Sequence, residues 1–481
     1  MKLLQFNRRT KIVATLGPAS ASASVLGRLV RAGVDVARLN LSHGTVEEHA
    51  RTVRLVREAA SHAERPVAIL VDVPGPKYRV GPMAGESVVL RRGASVTLTT
   101  EGVVGTESRI GVNLPTFAQD AAQARVVLLD DGAIELRVVE VKPPDVVCRV
   151  VAGGTLKPGK GVVFPGVPLS IPFLTDATRA ALDFAAEQRA DWVALSFVSG
   201  PEDIRQARDA LRERGATIPL IAKIEMRQAV ERLDAILREA DGVMVARGDL
   251  GLEMPVQKIP HVQKGIIRAA NRLGKPVITA TQMLESMILA PRPTRAEVTD
   301  VANAILDGTD AVMLSGETSV GQYPVQTVRM MEKIARETEK SFPFEQVAEE
   351  RRREVGDAID DAIAHDACHT AGIVGARAIV AFTTSGSTAL RVARYRPRTP
   401  LLALTSREDV RRRLALVWGV HPVVVAEQSS ADEVFATASR CARELGLARP
   451  GDVLVITAGV PLGVSGSTNL LKVHTVAGDK A

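Results

Sequence analysis

The chain has 481 residues, enough for two or three domains, with 46% apolar and 24% charged residues, an ordinary globular balance. Its 61 basic and 55 acidic residues leave a net charge of only +6, and the basic runs Arg351–Arg353 and Arg411–Arg413 carry no interleaved aromatics, which argues against nucleic-acid binding. Cys148, Cys368 and Cys441 are too scattered for a disulfide framework or a thiolate zinc site, no run approaches 18 apolar residues, and MKLLQFNRRTKIVATL lacks a signal-peptide core, so a cytoplasmic protein with no membrane span is expected.

In chain order, eight short apolar runs alternate with helical patterns: 11–16, 34–40, 67–73, 192–197, 220–225, 242–247, 276–281 and 311–315. Such runs read as parallel strands covered on both faces, and eight of them predict a TIM (β/α)8 barrel. The barrel is expected over 1–72 and 173–340. It is interrupted at 73–172 by a Gly-, Pro- and Val-rich stretch with alternating runs such as SVTLTT and IELRVVEV, which reads as an inserted all-β domain. Within it, Gly154–Lys160 nearly matches a phosphate loop, but Gly161 stands where Ser or Thr should be, and Pro165 and Pro168 argue against the helix that must follow. After a charged stretch near 336–356, the apolar runs 378–385, 400–405, 422–427 and 452–459 predict a C-terminal α/β domain over 355–481 with a mostly parallel sheet.

Barrel enzymes place their chemistry at the C-terminal ends of the strands. Those ends carry Arg38 and Asn40, Asp72, Ser196, Lys223 and Glu225, Arg247 and Asp249, Thr281, and Ser315 with Glu317. Lys223 and Glu225 are two apart on one strand and so face one space. Glu225 and Asp249 are hard oxygen donors suited to Mg²⁺ or Mn²⁺, and a lysine beside them can neutralise charge on a phosphoryl group or an enolate. The bland alternative is a plain salt bridge from Lys223 to either carboxylate. The turn Arg247-Gly248-Asp249 also opens a helix whose free N–H groups suit an anion.

The segments ARLNLSHG (37–44), AKIE (222–225), MVARGDLG (244–251), ATQMLESM (280–287) and the long stretch 291–318 closely resemble pyruvate kinase, as do KGV (160–162), 382–397 and 449–473. The resemblance implies transfer of the phosphoryl group of phosphoenolpyruvate to ADP, giving pyruvate and ATP, in a homotetramer. It implies Glu225 and Asp249 as Mg²⁺ ligands, and Lys223 as the group stabilising the transferring phosphoryl group and the enolate. Arg38 would bind the substrate phosphate, the amides of Gly248 and Asp249 its carboxylate, and Thr281 would lie where a proton reaches the enolate carbon. Asn40, His43 and Arg79 match nucleotide contacts. Asn40, Ser42, Asp72 and the carbonyl of Val73 match a K⁺ site. The loop Thr383, Thr384, Ser385, Gly386, Ser387, Thr388 resembles the family's loop for a phosphorylated effector.

Three departures stand out. DVPGPKYR (72–79) puts Lys77 where the common form has glutamate. In the family that lysine accompanies the absence of K⁺ dependence, and an ammonium can supply the charge of a bound cation, so K⁺ independence is expected. Ala177 replaces a lysine near ATP, and Met226 replaces the Asn that follows KIE; both bear on nucleotide affinity. Two other readings are an aldolase or lyase of pyruvate-enolate chemistry, which would not need the inserted domain, and a non-catalytic metabolite-binding paralogue, which would be expected to lose Lys223, Glu225 or Asp249.

Overall fold

The computed structural model describes residues 8–462, 466 and 468–477; of the 449–473 stretch, residues 463–465 and 467 lie outside it. Eight parallel strands close a barrel: Lys11–Thr15, Val36–Asn40, Ala68–Val73, Trp192–Leu195, Leu220–Ile224, Gly242–Ala246, Val277–Ala280 and Ala311–Leu314. Each falls within one of the predicted runs. Alternate residues such as Val13, Leu70, Ile221, Met244 and Ile278 fill the interior. Their neighbours, including Ile12, Ile69, Val193, Val243 and Val312, pack beneath the helices. Burial on both faces is why the strands read as continuous apolar runs. Capping boxes at Thr45/Glu48 and Thr294/Glu297 start two of the surrounding helices.

One mouth of the barrel is plugged. Ala415 and Leu416 of the C-terminal region join the interior cluster, and the Trp192 indole N–H donates to the Arg413 carbonyl at 3.1 Å. Trp192 begins its strand, so the plug closes the N-terminal end and chemistry is confined to the other.

The insertion builds a seven-stranded sheet and a two-stranded pair around its own core. It is not purely β: a short helix, Phe117–Ala121, carries Asp120, which accepts from Tyr78 Oη at 2.7 Å and from Ser170. The phosphate-loop lookalike is a strand, Gly154–Leu156, a turn at Gly159, and a second strand, Gly161–Val163; no helix follows.

The C-terminal sheet has five strands, four parallel and the last, Thr468–Thr475, antiparallel on the edge. That strand escaped the sequence reading because TNLLKVHT is half exposed and lacks a continuous apolar run. The strand Val420–Val424 begins two residues before the predicted run; it is the opposite edge strand, where Pro422 is tolerated. Among the described residues no helix is long and apolar enough to cross a membrane.

Candidate active site

At the open mouth, period-two geometry turns Arg38, Asp72 and Lys223 inward from three strands, and Ser196 from the residue just past a fourth. Asp72 is almost wholly buried. It accepts from Arg38 Nε at 2.7 Å, from Lys223 Nζ at 3.2 Å and from Ser196 Oγ at 3.2 Å. Lys223 also donates to Ser196 Oγ at 2.7 Å and to Glu225 Oε1 at 2.8 Å. Arg38 is steadied by Thr15 Oγ1 at 2.8 Å, its neighbour across the strand pairing. Burial pushes the Asp72 carboxyl up, but Arg38 and Lys223 outweigh it and hold it below the ordinary carboxylate range. Burial likewise pulls Lys223 down, yet Asp72 and Glu225 together raise it, so it stays an ammonium ion. Sequence placed Asp72 at the barrel mouth and in a K⁺ site; its grip on both Arg38 and Lys223, and the part of Thr15, needed the three-dimensional register to be seen.

Glu225 accepts from the Phe197 amide at 2.7 Å. Burial raises its pKa, Lys223 opposes the rise, and repulsion from Asp249 adds to it. Two carboxylates that repel one another, Glu225 buried and Asp249 partly exposed, both lining one cleft, fit a hard divalent cation, with water and substrate oxygens to complete its shell. Among the described residues no cluster of three or more His, Cys, Asp or Glu side chains forms a rival metal site.

Lys77 bonds to Asp249 Oδ1 at 3.0 Å and lies 5.4 Å from the centre of the Phe197 ring. The positive charge of Lys77 therefore sits against a candidate metal ligand, while Asp72 is held by Arg38 and Lys223. Room for it comes from Gly161, where a Cβ would come within 2.7 Å of Lys77 Cε. The residue that breaks the phosphate-loop motif thus lets the lysine reach across.

Thr281 sits at φ 66° and Gln282 at φ 54°, a left-handed conformation rare for a β-branched residue and worth about 1–3 kcal/mol of strain. The turn is held by Arg247, whose guanidinium donates to the carbonyls of Ala280 and Thr281 and pairs with Asp300 at 2.7 Å. The expectation that Arg247 joins the ring of cleft side chains is therefore corrected: its charge is spent on the turn. Glu317 is corrected likewise, since its carboxylate accepts from the amides of Leu284 and Ser315. Thr281 Oγ1 in turn accepts from the Gly248 amide at 2.9 Å, at the start of the helix Arg247–Glu253.

The cleft encloses about 930 Å³. Asn40, Ser42, His43, Lys77 and Arg79 line it, as does Ala177, and Arg79 donates to the Gly159 carbonyl at 3.0 Å. Asn40 Oδ1 accepts from the Ser42 amide, and the His43 carbonyl is bonded to the His49 ring. Val73 and Met226 are buried. The inserted domain contributes Asp131, beside Asp130, which pairs with Lys160 at 2.7 Å; neither acid stood out in the sequence. The loop 383–388 opens separately onto a cavity of about 130 Å³ lined by its own hydroxyls, with Thr383 Oγ1 accepting from the Gly386 amide at 2.8 Å.

Where the insertion rejoins the barrel, Glu253 accepts from the Gly166 amide at 2.9 Å. Burial pushes its carboxyl up to about 7, the amides of Gly166 and Arg227 oppose this, and Asp249 adds to it. A carboxyl raised on folding contributes stability that is complete below about pH 4.5 and is lost as pH climbs through 7. Thermal melts of the wild type should therefore lose on the order of 2 kcal/mol between pH 5 and 8 that Glu253→Gln does not lose. Parallel pH profiles of the two proteins would discount this assignment.

The family model for the pyruvate kinase barrel domain matches residues 7–328, and that for the pyruvate kinase alpha/beta domain matches residues 361–474. The chain belongs to the pyruvate kinase family. Over 98% of its length it is 47% identical to a pyruvate kinase of Geobacillus stearothermophilus, covering 81% of that protein. It is 48% identical to pyruvate kinase 2 of Synechocystis sp., with 98% of this chain and 79% of that protein covered. A crystal structure of a pyruvate kinase from Cryptosporidium parvum superposes with a TM-score of 0.92 at 36% identity, covering 98% of this chain and 96% of that one. The enzyme is a phosphotransferase of the pyruvate kinase class, on a barrel with an added sheet domain and a C-terminal α/β domain.

Proposed function

We propose that this pyruvate kinase moves the phosphoryl group of phosphoenolpyruvate to ADP in the barrel-mouth cleft, with the division of labour below. The observation that carries the reading is the buried knot of Arg38, Asp72, Ser196, Lys223 and Glu225. It holds two cations and a carboxylate pair in fixed positions before any substrate arrives. Phosphoryl transfer asks for positioning and charge neutralisation more than covalent chemistry. Arg38 binds the substrate phosphate. Lys223 neutralises the phosphoryl group in flight and the enolate left behind. The amides of Gly248 and Asp249 receive the substrate carboxylate, and the Thr281 hydroxyl, which donates to the Ala280 carbonyl at 2.7 Å, turns that proton to a water that passes one on to the enolate carbon. Glu225 and Asp249 hold Mg²⁺ or Mn²⁺, which when bound screens the negative charge shared between phosphate and enolate.

Asn40, His43 and Arg79 serve the nucleotide, and Ala177, which lines the cleft, weakens its hold, whereas Met226 packs in the barrel core and does not reach it. Lys77 stands in for K⁺, so that Asn40, Ser42, Asp72 and Val73 need no monovalent ion. The 383–388 loop takes a phosphorylated effector. A cytoplasmic homotetramer is in keeping with three unpaired cysteines and with the family.

The deciding assay is pyruvate formation from phosphoenolpyruvate with and without ADP, run beside an aldol-cleavage assay. Strict ADP dependence is expected; aldol cleavage without ADP-dependent turnover would favour an aldolase or lyase, and inertness in both would favour a binding paralogue. Within the kinase reading, Thr281→Ala should lower kcat by about 100-fold or more, as loss of a positioned proton donor does, and leave the KM for ADP unchanged. A KM effect alone would remove Thr281 from the proton path.

A further inference from the structure

We propose that a cavity between the barrel and the C-terminal domain is a second anion site, built to take a small phosphorylated metabolite that bridges the two. The cavity encloses about 480 Å³, a size suited to such a ligand, and shares no lining residue with the catalytic cleft or the hydroxyl-lined pocket. Arg268 and Arg272 reach it from the barrel helix Ile259–Arg272, Arg351 from the linking helix Phe344–Arg352, and Arg396 from the C-terminal domain.

The charge balance there is uneven. Lys264 is matched by Asp307, and Arg396 by Asp310 at 2.9 Å. Among the described residues, Arg268 and Arg272 form neither an ion pair nor a side-chain hydrogen bond, and Arg351 reaches only the Asn271 carbonyl at 3.2 Å. Of the lining acids Asp307 is taken by Lys264, so two carboxylates, Glu354 and Glu350 (which also accepts from Gln346), face the three guanidinium groups of Arg268, Arg272 and Arg351. Arg396 adds a buried Nε that has no partner. Burial pulls Arg351 down to about 10, and repulsion from Arg396 adds to it against the attraction of Glu354 and Asp310. A plainer role, holding the carboxyl ends of helices, accounts for Arg351, for the Arg396 fork that donates to the Gly308 carbonyl at 2.7 Å and for Arg272 in the last turn of its own helix, but not for Arg268 or the unpartnered Arg396 Nε. Planar guanidinium forks suit phosphate oxygens, and Phe342, Leu306 and Val347 offer an apolar wall to the remainder of the ligand. Because the arginines come from both domains, one ligand would tie the barrel to the domain that plugs it.

The chain has two tryptophans, and Trp418 lies against this cavity: its ring is 4.8 Å from Arg396 Cζ and 5.9 Å from the Phe342 ring. Trp192→Phe leaves Trp418 as the single reporter. Titration of the metal-free full chain with inorganic pyrophosphate should change Trp418 emission saturably. The apparent Kd should rise about tenfold or more in Arg268→Ser/Arg272→Ser and in Arg351→Met, and stay unchanged in Ser387→Ala. Arg268 and Arg272 are exposed, so the double variant keeps the fold even if Arg351→Met does not. No saturable change, an unaltered Kd in the double variant, or loss of the signal in Ser387→Ala would each overturn the proposal.

Discussion

Lys223→Met is expected to lower kcat for pyruvate formation by about a thousandfold or more, with a much smaller change in KM for phosphoenolpyruvate. The ammonium group is the point on which Asp72, Ser196 and Glu225 converge, and methionine fills the same volume without charge. Arg38 remains, so the ground-state phosphate still has its cation, whereas charge that shifts onto the enolate oxygen during transfer has lost one. The substitution also leaves Glu225 buried beside Asp249 with no cation, so the Glu225 carboxyl should rise further and divalent-metal affinity should fall. Breaking a buried pair from one side costs on the order of 3–5 kcal/mol, so melts must accompany the kinetics. Lys223→Arg, which keeps the charge but changes its geometry, should recover stability before it recovers rate. A folded Met variant within tenfold of wild type would remove Lys223 from the chemistry.

With Mg²⁺ and tetramethylammonium as the only monovalent cation, wild-type turnover should be nearly as fast as with K⁺, and Lys77→Glu should be about a hundredfold slower until K⁺ is added. The bond from Lys77 to Asp249 at 3.0 Å is the reason. Glutamate there would replace an attraction with a repulsion and set a third carboxylate beside Glu225 and Asp249; at an effective dielectric near 20 a charge reversal at such range is worth a few kcal/mol. Both groups are partly exposed, which favours the lower end of that range. Gly161→Ala offers an independent check, because its Cβ displaces only the end of the Lys77 side chain and spares the inserted domain's fold. It should introduce a milder K⁺ stimulation. Strong K⁺ dependence of the wild type, or a Lys77→Glu protein indifferent to K⁺, would discard the cation-substitute role and leave the kinase assignment intact.

The eight barrel strands, the separate character of the insertion and the parallel C-terminal sheet were legible in the chain because each rests on local periodicity and on burial of both strand faces. Lys223 and Glu225 were legible for the same reason: two residues apart on a strand is a statement about direction. The edge strand Thr468–Thr475 was not, since its half-exposed pattern carries no apolar run. Arg247 and Arg38 show the boundary most clearly. Both are arginines at or just past strand ends, yet one grips the strained Thr281 turn and the other bonds Asp72 in the cleft. Nothing local distinguishes them, because the choice depends on which carboxylate a neighbouring strand or helix presents. The same holds for Lys77, whose partner lies 172 positions away, and for the arginines gathered between the domains. Sequence by itself determined the elements and the kinds of chemical group at the barrel mouth. Pairing of charges across strands and domains was decided only by tertiary structure, because a salt bridge is set by distances in space that no spacing along the chain encodes.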